Sequence, residues 1–405
     1  MISVAEARAR ILAGLAPTAA EIIPLMEGPG RVSAAPLIAR LSHPPADVSA
    51  MDGYAVRSDD AATGARLQLI GAAPAGHPFA GRVGPGEAVR LFTGSLVPAG
   101  ADSILIQENA TVAEALVTVT EPTDPGRHIR PMGQDFRAGE TLIAPGQRLN
   151  PRSIGLAAAG GHAWLTVHRR PRIVILSTGD EIVLPGEPVP PGGVVSSNGP
   201  ALAALVRMAG GEPVLLPTAP DDTAAIAAAA DAARGAEMLL TTGGASVGDH
   251  DLVQAALAER GMVLDFWRIA MRPGKPLMHG RMFGKLGEVP MLGLPGNPVS
   301  ALVCAILFLL PAIAKLSGLP GDPPLAEPVR LGAPLPANDI REDYIRASLL
   351  TQVDGLWVAE PYAKQDSGMI SRLAQADALI IRPPFAPACA LGEMVPAIRL
   401  APLGV

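Results

Sequence analysis

Apolar residues recur along this chain with two different periods, and the changes of period divide it. In the opening MISVAEARARILAGL, Ile2, Ala5, Ala9 and Leu12 fall on one helical face with charges between them, which predicts an amphipathic helix. Pro44 and Pro45 then disfavour helix across 41–47. Between 67 and 143 the pattern is short β-like runs (LQLIGA, AVRLFTG, SILIQEN, ALVTVTE) separated by Gly and Pro turns, which reads as a small all-β module. A helix is expected over 150–158, with a cap residue before Pro at its first position.

From Arg172 the period changes again. RIVILS is a continuous apolar run, followed by a helical pattern over 199–209 and a strand over 213–217. An Ala-rich helix over 221–234 has Asp221 at its start, and EMLLTT makes the next strand. A helix over 252–260, the strand VLDFWRIA, a strand over 289–296 and a helix over 298–316 complete the series. Near-continuous apolar strands alternating with helices predict a doubly wound α/β domain, its parallel sheet covered on both faces. A linker is expected over 316–328. The runs YIRASLL, LWVAE, ALIIRP and VPAIRL then predict a separate small β domain.

Composition narrows the class. The chain is 49% hydrophobic and 17% charged, so it can bury large cores. Gly and Pro supply 44 and 42 of 405 residues, short of the ~25–30% that marks low complexity, so they read as turns. A net charge of −6 argues against a general nucleic-acid binder, and 3% aromatics are too few for base stacking. Cys304 and Cys389 make no disulfide framework, which points to a reducing compartment. The N-terminus does not read as a signal peptide. The apolar run 299–314 is shorter than the ~20 residues a membrane span needs and contains Pro311, so a buried core helix is expected.

In open α/β sheets ligands sit beyond the carboxyl ends of the strands, and here those ends are rich in special residues. STGDE (177–181) runs a strand into a Gly turn carrying two carboxylates. In TTGGASVGDHD (241–251), Gly243 and Gly244 allow close backbone approach to an anion, Thr242 and Ser246 add hydroxyls, and Asp249 and Asp251 are candidates for a divalent cation. It is not a Walker loop, because Asp249 stands where Lys is required. LPGNP (294–298) opens a helix, so backbone N–H groups lie at a positive end. Arg268, Arg272 and Lys275 bring cations suited to oxyanions. Together these loops predict a site for a phosphorylated ligand. The β module adds Gly turns with a single carboxylate or hydroxyl at 50–56, 92–95 and 133–136. There is no metal-ligand His spacing, no G-x-S-x-G and no Cys/His pair, which disfavours acyl-enzyme chemistry.

Taken in order, MDGYAV (51–56), TGGASVG (242–248) and LPGNP (294–298) resemble the molybdopterin molybdenumtransferase family, which includes MoeA and the E domain of gephyrin. The likeness spans essentially the whole chain. It implies four domains: an α/β molybdopterin-binding domain (1–21 and 168–318), a connecting domain (22–45 and 140–167), an inserted β module (46–139) and a C-terminal β domain (319–405). It implies a cytoplasmic homodimer whose active cleft lies between the α/β domain of one subunit and the β module of the other. The implied reaction inserts molybdate into adenylylated molybdopterin and releases AMP, with Mg2+ required. The adenylyltransferase of the same pathway is a further expected partner, and neither nucleic acid nor membrane is.

The same resemblance implies roles by position. Asp52, Thr93 and Asp135 reach the cleft from the β module. Glu181 and Asp251 hold the cation, and Asp221 is another active-site carboxylate. Arg272 and Lys275 face molybdate or phosphate, with Arg268 nearby. Thr242, Gly243, Gly244, Ser246 and Gly248 form the anion loop; Pro295, Gly296, Asn297 and Pro298 shape the wall; and Ser367 is a C-terminal contribution. Arg268 and Arg272 stand where bacterial relatives often have Lys, and Asp249-His250 departs from the usual pair. Two other readings stay open. An adenylyltransferase or nucleotide pyrophosphatase on the same fold would lack the 51–56 segment and the β module. A non-catalytic dimeric scaffold would have no need of Asp52, Glu181 and Asp251.

Overall fold

The computed structural model describes residues 1–243, 252–284, 287–351 and 355–405. These fall into two units: Met1–Glu21, Gly30–Ala34 and Val167–Val405 form the first, and Ile22–Pro29 with Ala35–Thr166 the second.

In the first unit, period-two alternation along buried strands sorts side chains to the two faces of one sheet. Ile173 and Ile175 join a core with Leu240, Leu292 and the 298–316 helix. Val174 and Leu176 join another with Leu239, Ile226 and Leu257. The strand order is Glu212–Leu215, Arg172–Ser177, Met238–Thr242, Gly287–Leu294, Pro276–Gly284, Met262–Arg268. The first four are parallel and the last two antiparallel. The sheet is therefore mixed rather than all-parallel. The Pro276–Gly284 strand lacks a sequence signature because His279, Gly280 and Arg281 break its apolar run. His279 is nonetheless buried, its Nδ1 3.0 Å from the Met291 carbonyl, and burial lowers its pKa.

Two helix expectations shift and a third holds. The first helix, Val4–Leu12, is capped by Ser3 and buries Val4, Ala7 and Ile11, while Ala5 and Ala9 face solvent. The larger β-branched Val4 and Ile11 set the buried face, and of the alanines only Ala7 falls on it. The Thr223–Ala230 helix is capped by Asp222, whose carboxylate accepts the Ala225 N–H at 2.8 Å; Asp221 lies before the cap. The 298–316 helix continues through Pro311. Its turn at Ala305–Leu309, just before that proline, is a π-helix in which the Leu310 N–H donates to the Ala305 carbonyl. By length and composition it could cross a membrane, but 78% of its apolar window is buried inside the protein.

The C-terminal strands follow the order Glu342–Thr351, Trp357–Pro361, Ala326–Leu331, Met394–Arg399, Ala378–Arg382, and the last pairs back onto the first to close a barrel. The strand Ala326–Leu331 begins inside the expected linker, which ended at Pro328; that proline masked the alternation. Met271–Arg272 pairs parallel with Glu342–Asp343 and joins the α/β layer to the barrel.

The second unit holds a sheet ordered Ser103–Ile106, Gly53–Val56, Glu87–Leu91, Arg66–Ala73, Leu116–Val119, Ala110–Ala113. Gly53–Val56, read in sequence as a turn, is a fully buried strand between two neighbours. The helix Pro151–Ala159 forms as its pattern predicts, with Asn150 accepting the Ser153 N–H at 3.1 Å.

Candidate active site

Three adjacent strand ends of the first unit open onto one cleft of about 760 Å³. The Arg172–Ser177 strand leads to Thr178 and Glu181, Met238–Thr242 to Gly243, and Gly287–Leu294 to Pro295, Gly296, Asn297 and Pro298. Lys275 and Gly368 complete the lining from two other loops. The cleft thus brings together Glu181, Thr242, Gly243, Lys275 and the whole 295–298 turn. Gly244, Ser246, Gly248 and Asp251 lie outside the described residues. Gly243 is required where it stands. Its φ is +96°, and a Cβ there would meet the Thr178 carbonyl at 2.4 Å.

Other expected residues stand elsewhere. Asp221 is held by its backbone N–H, which donates to Asp180 Oδ1 at 3.0 Å. Arg268 stacks on Trp267 at 3.6 Å and leaves a buried Nε without a partner. Arg272 lines a different pocket, against the barrel. There Nε donates to Asp343 Oδ1 at 2.8 Å, a second nitrogen pairs with Oδ2, and Asp339 lies 3.7 Å away. Arg341 and Arg272 hold the Asp339 carboxyl down to about 2, Arg341 contributing first. The Ser367 carbonyl accepts the Val299 N–H at 3.2 Å. Pro298 has no N–H, so the helix end keeps fewer donors for an anion than its sequence suggests.

Asn198 is the residue that sequence reasoning missed. It opens the Asn198–Met208 helix, lines the cleft, and donates from Nδ2 to Thr242 Oγ1 and to the Gly296 carbonyl, both at 2.8 Å. Its Oδ1 and the Thr178 hydroxyl are buried without partners. The only signal in sequence was polar SSN at a strand-to-helix junction.

In the second unit, Asp52 Oδ1 accepts both the N–H and the hydroxyl of Thr93, at 2.7 and 2.8 Å. Those two bonds, the backbone one foremost, with Arg90 adding its charge, hold the Asp52 carboxyl below its ordinary value. Asp135 lines a groove of about 750 Å³ with Pro44, Pro45, Val48, Leu96 and Arg130. Among the described residues, no group of three His, Cys, Asp or Glu side chains is placed to hold a metal.

Three family profiles match in sequence order. They are the MoeA N-terminal region (domain I and II) over residues 2–161, the probable molybdopterin binding domain over 174–315, and the MoeA C-terminal region (domain IV) over 328–400. The molybdopterin molybdenumtransferase of Nostoc sp. is 37% identical over 371 residues, covering 90% of this chain and 85% of its own. The chain belongs to the MoeA family. A molybdopterin molybdenumtransferase of Haemophilus influenzae is 38% identical, with 78% of each chain covered. Two solved MoeA structures from Pyrococcus horikoshii superpose with TM-scores of 0.86 and 0.76 at 28% and 26% identity, each covering 98% of this chain and 99% of the other. The fold expected from the 51–56, 242–248 and 294–298 motifs is therefore the family's own.

Proposed function

We propose that this chain is a molybdopterin molybdenumtransferase of molybdenum cofactor biosynthesis, taking adenylylated molybdopterin and molybdate and releasing AMP. The observation that carries the reading is the convergence of Glu181, Lys275, Gly243 and the 295–298 turn on one cleft, in a chain whose relatives bear that enzyme name. Both substrates are oxyanions. Lys275 supplies positive charge, and the glycine turn lets backbone approach the phosphate closely. We further propose the four-domain division set out above.

The donor chemistry at the cleft fits a hard divalent cation. Glu181 offers carboxylate oxygens, and the buried Thr178 hydroxyl has no protein partner. Glu181, with Asp251, would hold Mg2+, which supplies neutralising charge at the pyrophosphate. Lys275 and the Gly243 turn orient the phosphates, and Asp52, Thr93 and Asp135 serve the same reaction. The proposal includes a cytoplasmic homodimer and contact with the pathway's adenylyltransferase; sedimentation of the purified protein tests the former.

The decisive experiment supplies adenylylated molybdopterin, molybdate and Mg2+ and measures AMP together with active cofactor. AMP release that depends on molybdate and drops in Glu181→Ala supports the reading. Absence of AMP, or a Glu181→Ala variant as active as the parent, overturns it.

A further inference from the structure

We infer that Asn198 is a positioning residue that locks two anion-facing turns of the cleft into one register. The inference rests on the molybdenumtransferase reading for its substrate, not for its geometry. Asn198 is the first residue of its helix, and Ser197 before it makes no side-chain cap. The Asn198 amide is therefore spent across the sheet rather than on its own helix. Nδ2 carries two hydrogens. One goes to Thr242 Oγ1 and the other to the Gly296 carbonyl, each at 2.8 Å. Thr242 Oγ1 then directs its own hydrogen to the Pro295 carbonyl at 3.4 Å.

The consequence is electrostatic. Pro295 and Gly296 belong to the turn that lines the cleft, and a carbonyl oxygen turned toward an oxyanion would repel it. The Asn198–Thr242 pair holds both carbonyls on protein donors. Thr242 also ends the strand that leads into Gly243, and Gly243 Cα lies 3.7 Å from where a Gly296 Cβ would be. Fixing Thr242 to the 295–296 carbonyls thus fixes one turn against the other. Only a side chain with two donors on one atom does this. Aspartate has the same shape but offers none, and it adds a charge that repels the substrate.

The experiment compares wild type, Asn198→Ala, Asn198→Asp, Thr242→Val and the double variant Asn198→Ala/Thr242→Val. AMP release gives kcat and KM, and thermal midpoints report folding. Asn198→Ala is expected to lose about 10- to 100-fold in kcat/KM, the scale of a misplaced turn, with its thermal midpoint close to wild type. Asn198→Asp is expected to be no better. The double variant should fall within about threefold of the worse single one, because both residues act through one network. Wild-type activity in Asn198→Asp would reduce the residue to filling space and overturn the proposal, as would double-variant losses that multiply. Calorimetric binding of inorganic pyrophosphate to the same proteins separates the two claims. Pyrophosphate binding that weakens in Asn198→Ala, in a protein that releases no AMP, sinks the transferase reading and keeps the clamp. Unchanged binding and unchanged kcat/KM sink the clamp alone.

Discussion

At the scale of single residues, hydrogen bonds rather than burial tune the chemistry. Asp52 is only partly exposed, and Thr93 supplies both bonds that lower its pKa. A lowered carboxyl stays ionised further into acid. Any benefit of its charge is present above its ordinary value and is lost as pH falls through the lowered one. Thr93→Val deletes the hydroxyl bond but keeps the backbone N–H, the larger of the two causes. The Asp52 carboxyl should therefore rise part of the way back, and the acid limb of kcat/KM should move to higher pH. Carbon NMR titration of the Asp52 carboxyl checks the first statement, and a pH–rate profile the second. An acid limb unmoved by the substitution would mean that ionised Asp52 is not needed. Position decides equally for Arg272 and Lys275. Three residues apart, they read alike in sequence, yet one lines the cleft and the other is committed to Asp343. The barrel register that brings Asp343 there is set by strand pairing some seventy residues downstream, which no local pattern displays.

At the scale of elements, legibility followed continuity of apolar character. RIVILS and the Met238–Thr242 strand were readable because no polar residue interrupts their buried runs, and the strand-end loops that carry Glu181, Gly243 and 295–298 followed from them. Pro276–Gly284 and Ala326–Leu331 were not, since His, Gly and Arg interrupt the first, and Glu, Pro and Arg the second. Gly53–Val56 was hidden by Asp-Gly, a pair that usually marks a turn. Its glycine has a different purpose. A Cβ at Gly53 would sit 2.2 Å from the Leu105 carbonyl, so the strand can approach its neighbour only without a side chain. Gly53→Ala should push the two strands apart and cost about 1–3 kcal/mol, the range for overpacking a close-fitted core. Urea unfolding of the purified protein measures it; a midpoint unchanged from wild type would mean that the sheet yields more easily than its contacts indicate. Because Asp52 precedes this strand and its carbonyl accepts the Gln107 N–H at 3.1 Å, the same substitution should also disturb the Asp52–Thr93 pair.

At the scale of the whole molecule, charge poses the problem that the site must solve. The chain carries −6, and the proposed substrates are oxyanions, so long-range electrostatics oppose their approach. Lys275 and backbone donors act only at contact range, and Glu181 in the same cleft adds to the repulsion unless a cation sits against it. A divalent ion is thus expected to enable binding as well as chemistry. Removing it with EDTA should abolish AMP release, and adding Mg2+ back should restore it. Glu181→Gln keeps the size of the side chain and removes its charge. With less charge to attract the ion, its half-saturating Mg2+ concentration should rise by about tenfold, the effect of losing one favourable interaction near 1.4 kcal/mol. With less charge to repel the substrate, binding of pyrophosphate without metal should tighten. The two shifts run in opposite directions, which a general loss of structure could not produce. If Glu181→Gln weakens metal-free pyrophosphate binding instead, the carboxylate is serving the ligand through the fold rather than the cation through its charge.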